Sequence, residues 1–266
     1  MFLVFLFALP GLACAGASDW VEVDNIRARL MTGEETDKGI EAALEVNLQE
    51  GWHSYWRVPG DAGLPPEFDW SGSDNIKDVQ IFWPVPKRKK EIIFNTFGYD
   101  DAVLFPLEIT REANDKAATA DLALDIMICK DICIPQHLDL SLDIPPDSAA
   151  EAAHISAIKT ARDALPKDNG HNGLIIQSAV IGADALVVNV TAENGLAENL
   201  DLLPDAGEVL LTSPPEVIIA QDTPNKAMIK IPKGEDTDNL SHALAGKTLS
   251  LILINGDHAV EKIIEY

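Results

Sequence analysis

Short apolar runs separated by turn signals recur along the whole chain, and this pattern more than any other limits the fold. Before residue 147 the runs are ARLMTG, IEAALEVNLQEG, NIKDVQIFWP, AVLFPLEIT, ATADLALDIMIC and LDLSLDIP. After residue 173 they are LIIQSAVIG, ALVVNVTAE, EVLLTSPP, EVIIAQ, AMIKIPKG, TLSLILING and AVEKIIEY. Runs of this length, alternating or bunching their apolar side chains at this spacing, predict the strands of antiparallel β-sandwiches. The aromatic residues divide the chain in two. All five tryptophans and all eight phenylalanines lie at or before Phe105, and beyond Tyr99 the only tyrosine is Tyr266. So sharp a break implies two cores built by different means.

Between the two halves lies SAAEAAHISAIKTARDALPKDNGHNG, residues 148–173. Asp147 or Ser148 is placed to cap an Ala-rich helix, Pro166 to stop it, and residues 168–173 read as loop, so the segment is expected to be a helical linker.

The chain opens with MFLVFLFALPGLACAGASDW. Its apolar core has the length of a signal peptide and is too short to span a bilayer. Cleavage at either Ala-x-Ala site, before Gly16 or before Ser18, removes Cys14. The basic residues that usually precede such a core are missing, and Gly11-Leu12-Ala13 is a poor match to the sequence that precedes an acylated cysteine. Residues 1–17 are therefore read as a leader, and the mature chain as exported to the periplasm with no transmembrane segment. A net charge of −23 argues against nucleic acid as a partner and is read as a solubility device. Lys87-Arg88-Lys89-Lys90 is read as a solvated turn.

In an oxidising compartment two nearby thiols are first a disulfide or a redox couple. Cys129 and Cys133 stand four apart in DIMICKDICIP. Along a continuous strand that spacing is about 13 Å at roughly 3.3 Å per residue, too far for a disulfide. A bond therefore requires the backbone to turn at residues 130–132, as a hairpin tip or as a single helical turn. As a staple it is weak, since a loop of about five residues removes only about 2 kcal/mol of unfolded-state entropy. A short accessible disulfide is instead the kind that exchanges with another thiol. Lys130 favours thiolate, while Asp125 and Asp131 oppose it. Pro135 fixes the backbone just beyond.

The stretches GWHSYWRVPGDAGLPPEFDW (51–70), IFWPVPKR (81–88), FNTFGYDDAVLFPLEI (94–109) and ICKDICIPQHLDLSLDIP (128–145) resemble, in order, the amino-terminal periplasmic domain of the DsbD and ScsB thiol:disulfide interchange proteins. The resemblance covers roughly residues 30–145. It implies an immunoglobulin-like sandwich whose cysteine pair takes electrons from a membrane-embedded thiol donor and passes them to periplasmic thioredoxin-like or disulfide-bearing acceptors. It also implies that Cys133 is the exchanging sulfur and Cys129 the resolving one. An aromatic cap loop shields the site in that family. By position its counterparts are Phe94, Asn95, Thr96, Phe97, Gly98 and Tyr99, with Phe97 and Tyr99 favoured as lids and Gly98 as a mobile turn. Full-length members continue into transmembrane segments and a thioredoxin-like domain that are not read here, so a separate electron donor is expected.

The expected fold class is thus all-β, two tandem immunoglobulin-like β-sandwiches: a leader at 1–17, a redox domain at 18–147, the helical linker at 148–173 and a second sandwich at 174–266. The second sandwich is expected to set spacing or to dock partners. Trp52, Tyr55 and Trp56 are read mainly as packing residues, with a place beside the sulfurs open to one of them. The competing chemistry is a soft Cu(I) site of Cys129, Cys133 and His137, since thiolates select that ion and the ScsB branch is associated with copper tolerance. A third reading is an interaction module with a structural disulfide. His53 is read as packed, and His154, His171, His242 and His258 are given no role. Neither a G-x-S-x-G elbow nor an H-E-x-x-H helix occurs, so hydrolase chemistry is not expected.

Overall fold

The computed structural model describes residues 16–90, 94–146 and 150–266. Most of the leader and the caps proposed at Asp147 and Ser148 lie outside the described residues. The first domain contains β1 (Val21–Val23), β2 (Ile26–Glu35), β3 (Ile40–Leu48), β4 (His53–Gly60), β5 (Glu67–Asp69), β6 (Ile76–Ile81), β7 (Lys87–Lys90), β8 (Asn95–Asp100), β9 (Ala102–Arg111), β10 (Ala118–Cys129) and β11 (Cys133–Ile144). After α1 (Ala152–Asp163) come β12 (Lys167–Asp168), β13 (Leu174–Ile181), β14 (Ala185–Ala192), β15 (Asp201–Asp205), β16 (Glu216–Ile219), β17 (Lys226–Pro232), α2 (Leu240–Leu244), β18 (Thr248–Asn255) and β19 (His258–Glu265).

Each half is a sandwich of two sheets, ordered β1-β2-β3-β9-β6 and β11-β10-β4-β8-β7 in the first and β12-β19-β18-β15 and β13-β14-β17-β16 in the second. Alternation builds the first core directly. Leu122, Leu124, Ile126 and Ile128 of β10 and Leu138, Leu140, Leu142 and Ile144 of β11 point inward, against Leu30, Leu44, Phe105 and Leu107 of the facing sheet. Polar residues between them, such as Asp121, Asp125, Asp139 and Asp143, face outward, as period-two strands with one wet face require.

The two sandwiches share more than a tether. Leu203 of β15 and Ile252 of β18 are paired across their ladder and belong to the core of the first domain, while their neighbours Leu202, Leu251 and Leu253 belong to the second core. This sheet is apolar on both faces, which explains the unbroken run LILI at residues 251–254. Arg88 and Arg57 reinforce the contact. Arg88 lies over the Phe97 ring, donates to the Asp201 carboxylate at 3.1 Å and gives further hydrogen bonds to the Leu202 and Thr212 carbonyls. Arg57 donates to Asp205 at 2.7 Å and to Glu261 at 3.1 Å.

Several expectations change. The basic run at 87–90 is strand β7, not a solvated turn, because Arg88 is drawn to the second domain and Lys87 and Lys89 engage Asp100. EVLLTSPP forms no named strand. The ladder position beside β18 is taken by β15, which sequence periodicity did not reveal, while Leu211 is buried in the second core and Pro214-Pro215 offer no backbone donors. The helix α1 is no free tether: Ile158 is buried with Met31 and Ala43 on the outer face of the first sheet, and Arg162 donates to the Leu107 carbonyl at 2.7 Å. Its N-cap is Glu151, without a side-chain cap. Gly16 and Ala17, read as the end of the leader, are attached to β2, with the Thr32 amide donating to the Gly16 carbonyl at 2.9 Å and Ala17 bridged to Met31.

Candidate functional site

The cysteines close a hairpin. β10 and β11 pair without slippage from Ala118↔Ile144 to Cys129↔Cys133, and Lys130, Asp131 and Ile132 make the turn, the Lys130 amide donating to the Ile132 carbonyl at 3.1 Å. Of the two ways to join sulfurs four residues apart, the chain takes the hairpin tip. The sulfurs are bonded, with the Cα atoms 4.1 Å apart.

Register decides which side of the sheet the disulfide occupies. Ser54 pairs with both Ile128 and Tyr99, and Ile128 and Tyr99 belong to the core. One step along, His53 pairs with Cys129 on one flank and with Asp100 on the other, so the disulfide lies on the opposite, outer face with His53 and Tyr55. Its two sulfurs differ in access. Cys129 is 2% exposed, whereas Cys133 is exposed, as is Ile132 at the tip.

Tyr55 completes the site. Its hydroxyl donates to the Cys129 sulfur at 2.9 Å and lies 3.7 Å from that of Cys133. The ring is 1% exposed although it is on the outer face, because the loop at 61–66 folds over it. Gly63 of that loop stands where a β-carbon would lie 2.3 Å from the Tyr55 ring, with φ at +89°, so only glycine serves there. Edge-on to the same ring, 5.4 Å away, is the buried imidazole of His53. Lys130, adjacent to the first sulfur, turns its ammonium to the Glu50 carbonyl at 3.0 Å.

Residues 19–144 match the family model of the N-terminal domain of the thiol:disulfide interchange protein DsbD. The first sandwich belongs to the DsbD/ScsB amino-terminal domain family. Residues 164–265 match a family described as a domain of unknown function, DUF8393. Among solved structures, the N-terminal periplasmic domain of ScsB from Proteus mirabilis has the same fold, with a TM-score of 0.73 and 21% identity over 94% of this chain and 98% of that one. A comparison with curated proteins finds no match.

Within this DsbD-type domain the expected lid is not formed by Phe97 and Tyr99. Both rings lie in the core, Phe97 edge-on to Trp56 and Tyr99 edge-on to Phe105. The Tyr99 hydroxyl donates to the Pro84 carbonyl at 2.9 Å, and burial pushes the phenol well above its ordinary range, against a smaller opposing pull from Arg57. Gly98 is no mobile turn but the interior of β8, opposite Tyr55. Thr96 is buried, and the Asn95 amide donates to Asp61 at 2.8 Å. Phe94, 39% exposed, lines a cleft of about 670 Å³ between the domains with Asp61, Thr212 and Lys233. That cleft includes neither cysteine.

The alternative copper set is not brought together either. His137 shares the outer face of β11 with Cys133 but lies four residues along it, about 13 Å at strand spacing. Its nitrogens face Asp125 at 2.8 Å and Asp139 at 3.2 Å. Trp56 fills the core, and Trp52 packs against its edge. Sequence reasoning left the sulfur-facing aromatic open among three residues. Strand geometry, rather than any alternation of residue character in HSYW, puts residues 53 and 55 on one face and 54 and 56 on the other.

Proposed function

We propose that the chain is a thiol:disulfide oxidoreductase module that relays reducing equivalents from a membrane-embedded thiol donor of the DsbD/ScsB type to periplasmic thioredoxin-like or disulfide-bearing acceptors, through Cys129 and Cys133. The observation that carries this reading is the asymmetry of the pair: one sulfur is open to a partner, while the other is buried under a tyrosine hydroxyl. A partner thiolate attacks the Cys133 sulfur, the sulfur–sulfur bond breaks, and its electron pair leaves on Cys129 as a thiolate held by the Tyr55 hydroxyl. The partner's second thiolate then attacks the partner sulfur of the mixed disulfide and releases Cys133. The donor is oxidised by two electrons, and the two protons of its thiols end on Cys129 and Cys133. Delivery to an acceptor runs the same steps in reverse.

A shallow groove of about 220 Å³ lies beside the hairpin, lined by Leu64, Pro65, Met127 and Pro135 together with Glu67, Asp125 and His137, and Ile132 is exposed at the hairpin tip. They offer a partner contact area next to the sulfur it would attack. A periplasmic location is supported by the apolar leader and by the compartment of the ScsB domain that shares the fold. Among the described residues no helix is long and apolar enough to cross a membrane.

The test is trapping. A Cys129→Ser chain in its native compartment should accumulate mixed disulfides through Cys133, released by reductant, while Cys133→Ser accumulates few. If neither variant traps a partner and the wild-type bond resists dithiol reductants, the disulfide is a staple and the relay reading fails.

A further inference from the structure

The ladder register sets four chemically active residues in one row across the outer face of the sheet: Asp100 on β8, His53 on β4, Cys129 on β10 and Cys133 on β11. Directly opposed residues in antiparallel strands bring their β-carbons to about 4.5–5.5 Å on a common face. The side chain of His53 therefore projects from the sheet beside that of Cys129 on one flank and beside that of Asp100 on the other. It is 7% exposed, and its ring stands edge-on to Tyr55, whose hydroxyl already reaches the Cys129 sulfur.

We infer that His53 is the acid–base partner of Cys129 in thiol exchange. The inference rests on the relay reading above and adds to it the group that moves the proton. When a dithiol thiolate opens the bond at Cys133, the electron pair departs on Cys129, and the His53 imidazolium gives that thiolate a proton, becoming neutral. On the way back the neutral imidazole removes the proton, and the Cys129 thiolate attacks Cys133 in the mixed disulfide, expelling the partner's thiolate. Proton and electron pair are both accounted for at named atoms. Imidazole suits the task because its ordinary titration lies between those of carboxylates and thiols.

Titratable and charged groups approach His53 from the neighbouring strands. From β8 comes Asp100, to which Lys89 and Lys87 of β7 are bonded. Burial pushes the Asp100 carboxyl up, and the bonds and charges of Lys89 and then Lys87 outweigh it, so that it stays ionised below its ordinary value. Next to it, the Asp101 amide donates to the Trp52 carbonyl at 3.4 Å. From β10 come Cys129 and, at the turn, Lys130 and Asp131, with the Lys130 ammonium directed to the Glu50 carbonyl. Tyr55 flanks His53 on its own strand. In this row the proton passes between the His53 imidazole and the Cys129 sulfur, with the Asp100 side chain on the opposite flank of His53.

The experiment measures reduction of the oxidised full chain by dithiothreitol in a stopped-flow instrument between pH 5 and pH 9, for wild type and His53→Gln. Taking the rate ratio cancels the titration of the reductant. The ratio should be about tenfold or more at the acid end and fall to about one at the alkaline end in a single step. A ratio that is flat with pH, at one or at any other value, overturns the assignment, because loss of packing alone does not titrate. Should His53→Gln fail to fold, the wild-type imidazole resonance is followed by NMR in the oxidised and reduced protein. Its midpoint should move between the two states, and an unchanged midpoint overturns the inference. If wild type is not reduced at any pH, the relay reading itself fails and takes this one with it. Equal profiles in wild type and variant remove only His53.

Discussion

Gly98 stands directly across the ladder from Tyr55, and a β-carbon on it would lie 2.0 Å from the Ser54 carbonyl oxygen. The obstruction is backbone, which cannot swing aside as a side chain does. Gly98→Ala should therefore push β8 from β4 and cost about 2–3 kcal/mol. Urea denaturation measures the loss. Because β4 carries His53 and Tyr55, the variant should also react more slowly with dithiothreitol.

Tyr55→Phe keeps the ring under the 61–66 loop and removes only the hydroxyl on Cys129. A hydrogen bond to a charged group is worth about 1.5–3 kcal/mol, and here the charge exists mainly after the disulfide opens. Reduction of the variant should be slower by roughly tenfold or more, with stability little changed. Equal reduction rates in stopped flow would leave the hydroxyl without a role in leaving-group stabilisation.

Arg88→Ala removes one guanidinium from Asp201, the Leu202 carbonyl and the Thr212 carbonyl at once. The Arg88 and Asp201 side chains are 11% and 19% exposed, so solvent screens the pair only in part. A loss of about 2–3 kcal/mol is expected, less than for a fully buried pair. Since Leu203 and Ile252 tie the cores together, unfolding should remain a single transition detected equally by tryptophan fluorescence, confined to the first domain, and by circular dichroism.

Opening the disulfide without substitution should cost about 2 kcal/mol, the entropy of releasing a five-residue loop. Denaturant midpoints with and without reductant test this. A loss of twice that size would make the bond a structural element of the first sandwich.

His137 titrates away from the sulfurs and supplies an internal control. The Asp125 hydrogen bond and charge, with a smaller contribution from Asp139, hold it above its ordinary pKa of 6.5 against the opposing effect of desolvation. A raised folded value means that this ion pair contributes fully below pH 6.5 and is lost as pH rises through the raised value. NMR should place the His137 midpoint above 6.5, and Asp125→Asn should lower it.

The β10–β11 hairpin was the most legible part of the fold, since strict alternation in ADLALDIMI and HLDLSLDI encodes one dry and one wet face. β4 was harder to read. Trp56 is in the core while Tyr55 lies under a loop, so both parities of HSYW are buried and period two disappears. The same cause hid the docking sheet: Leu203 and Leu202 face different cores. Lys87–Lys90 looks solvated by composition alone, whereas its pairing with β8, the Asp100 carboxylate and, across the domain contact, Asp201 hold it as a strand. At the site, the need for a turn at residues 130–132 followed from the cysteine spacing, but the choice of a hairpin tip over a helical turn did not. The loop that covers Tyr55 did not, because it depends on the missing side chain of Gly63 rather than on an aromatic ring. The His53–Cys129 pairing depends on strand order, which no local pattern carries.

The disulfide sits outside the apolar interior, on the far side of the sheet from Ile128 and Tyr99. Its opening should therefore leave in place both the packed layer beneath and the joint with the second sandwich. A molecule arranged this way can be cycled between its two oxidation states many times over while the framework that aims its sulfurs stays unaltered.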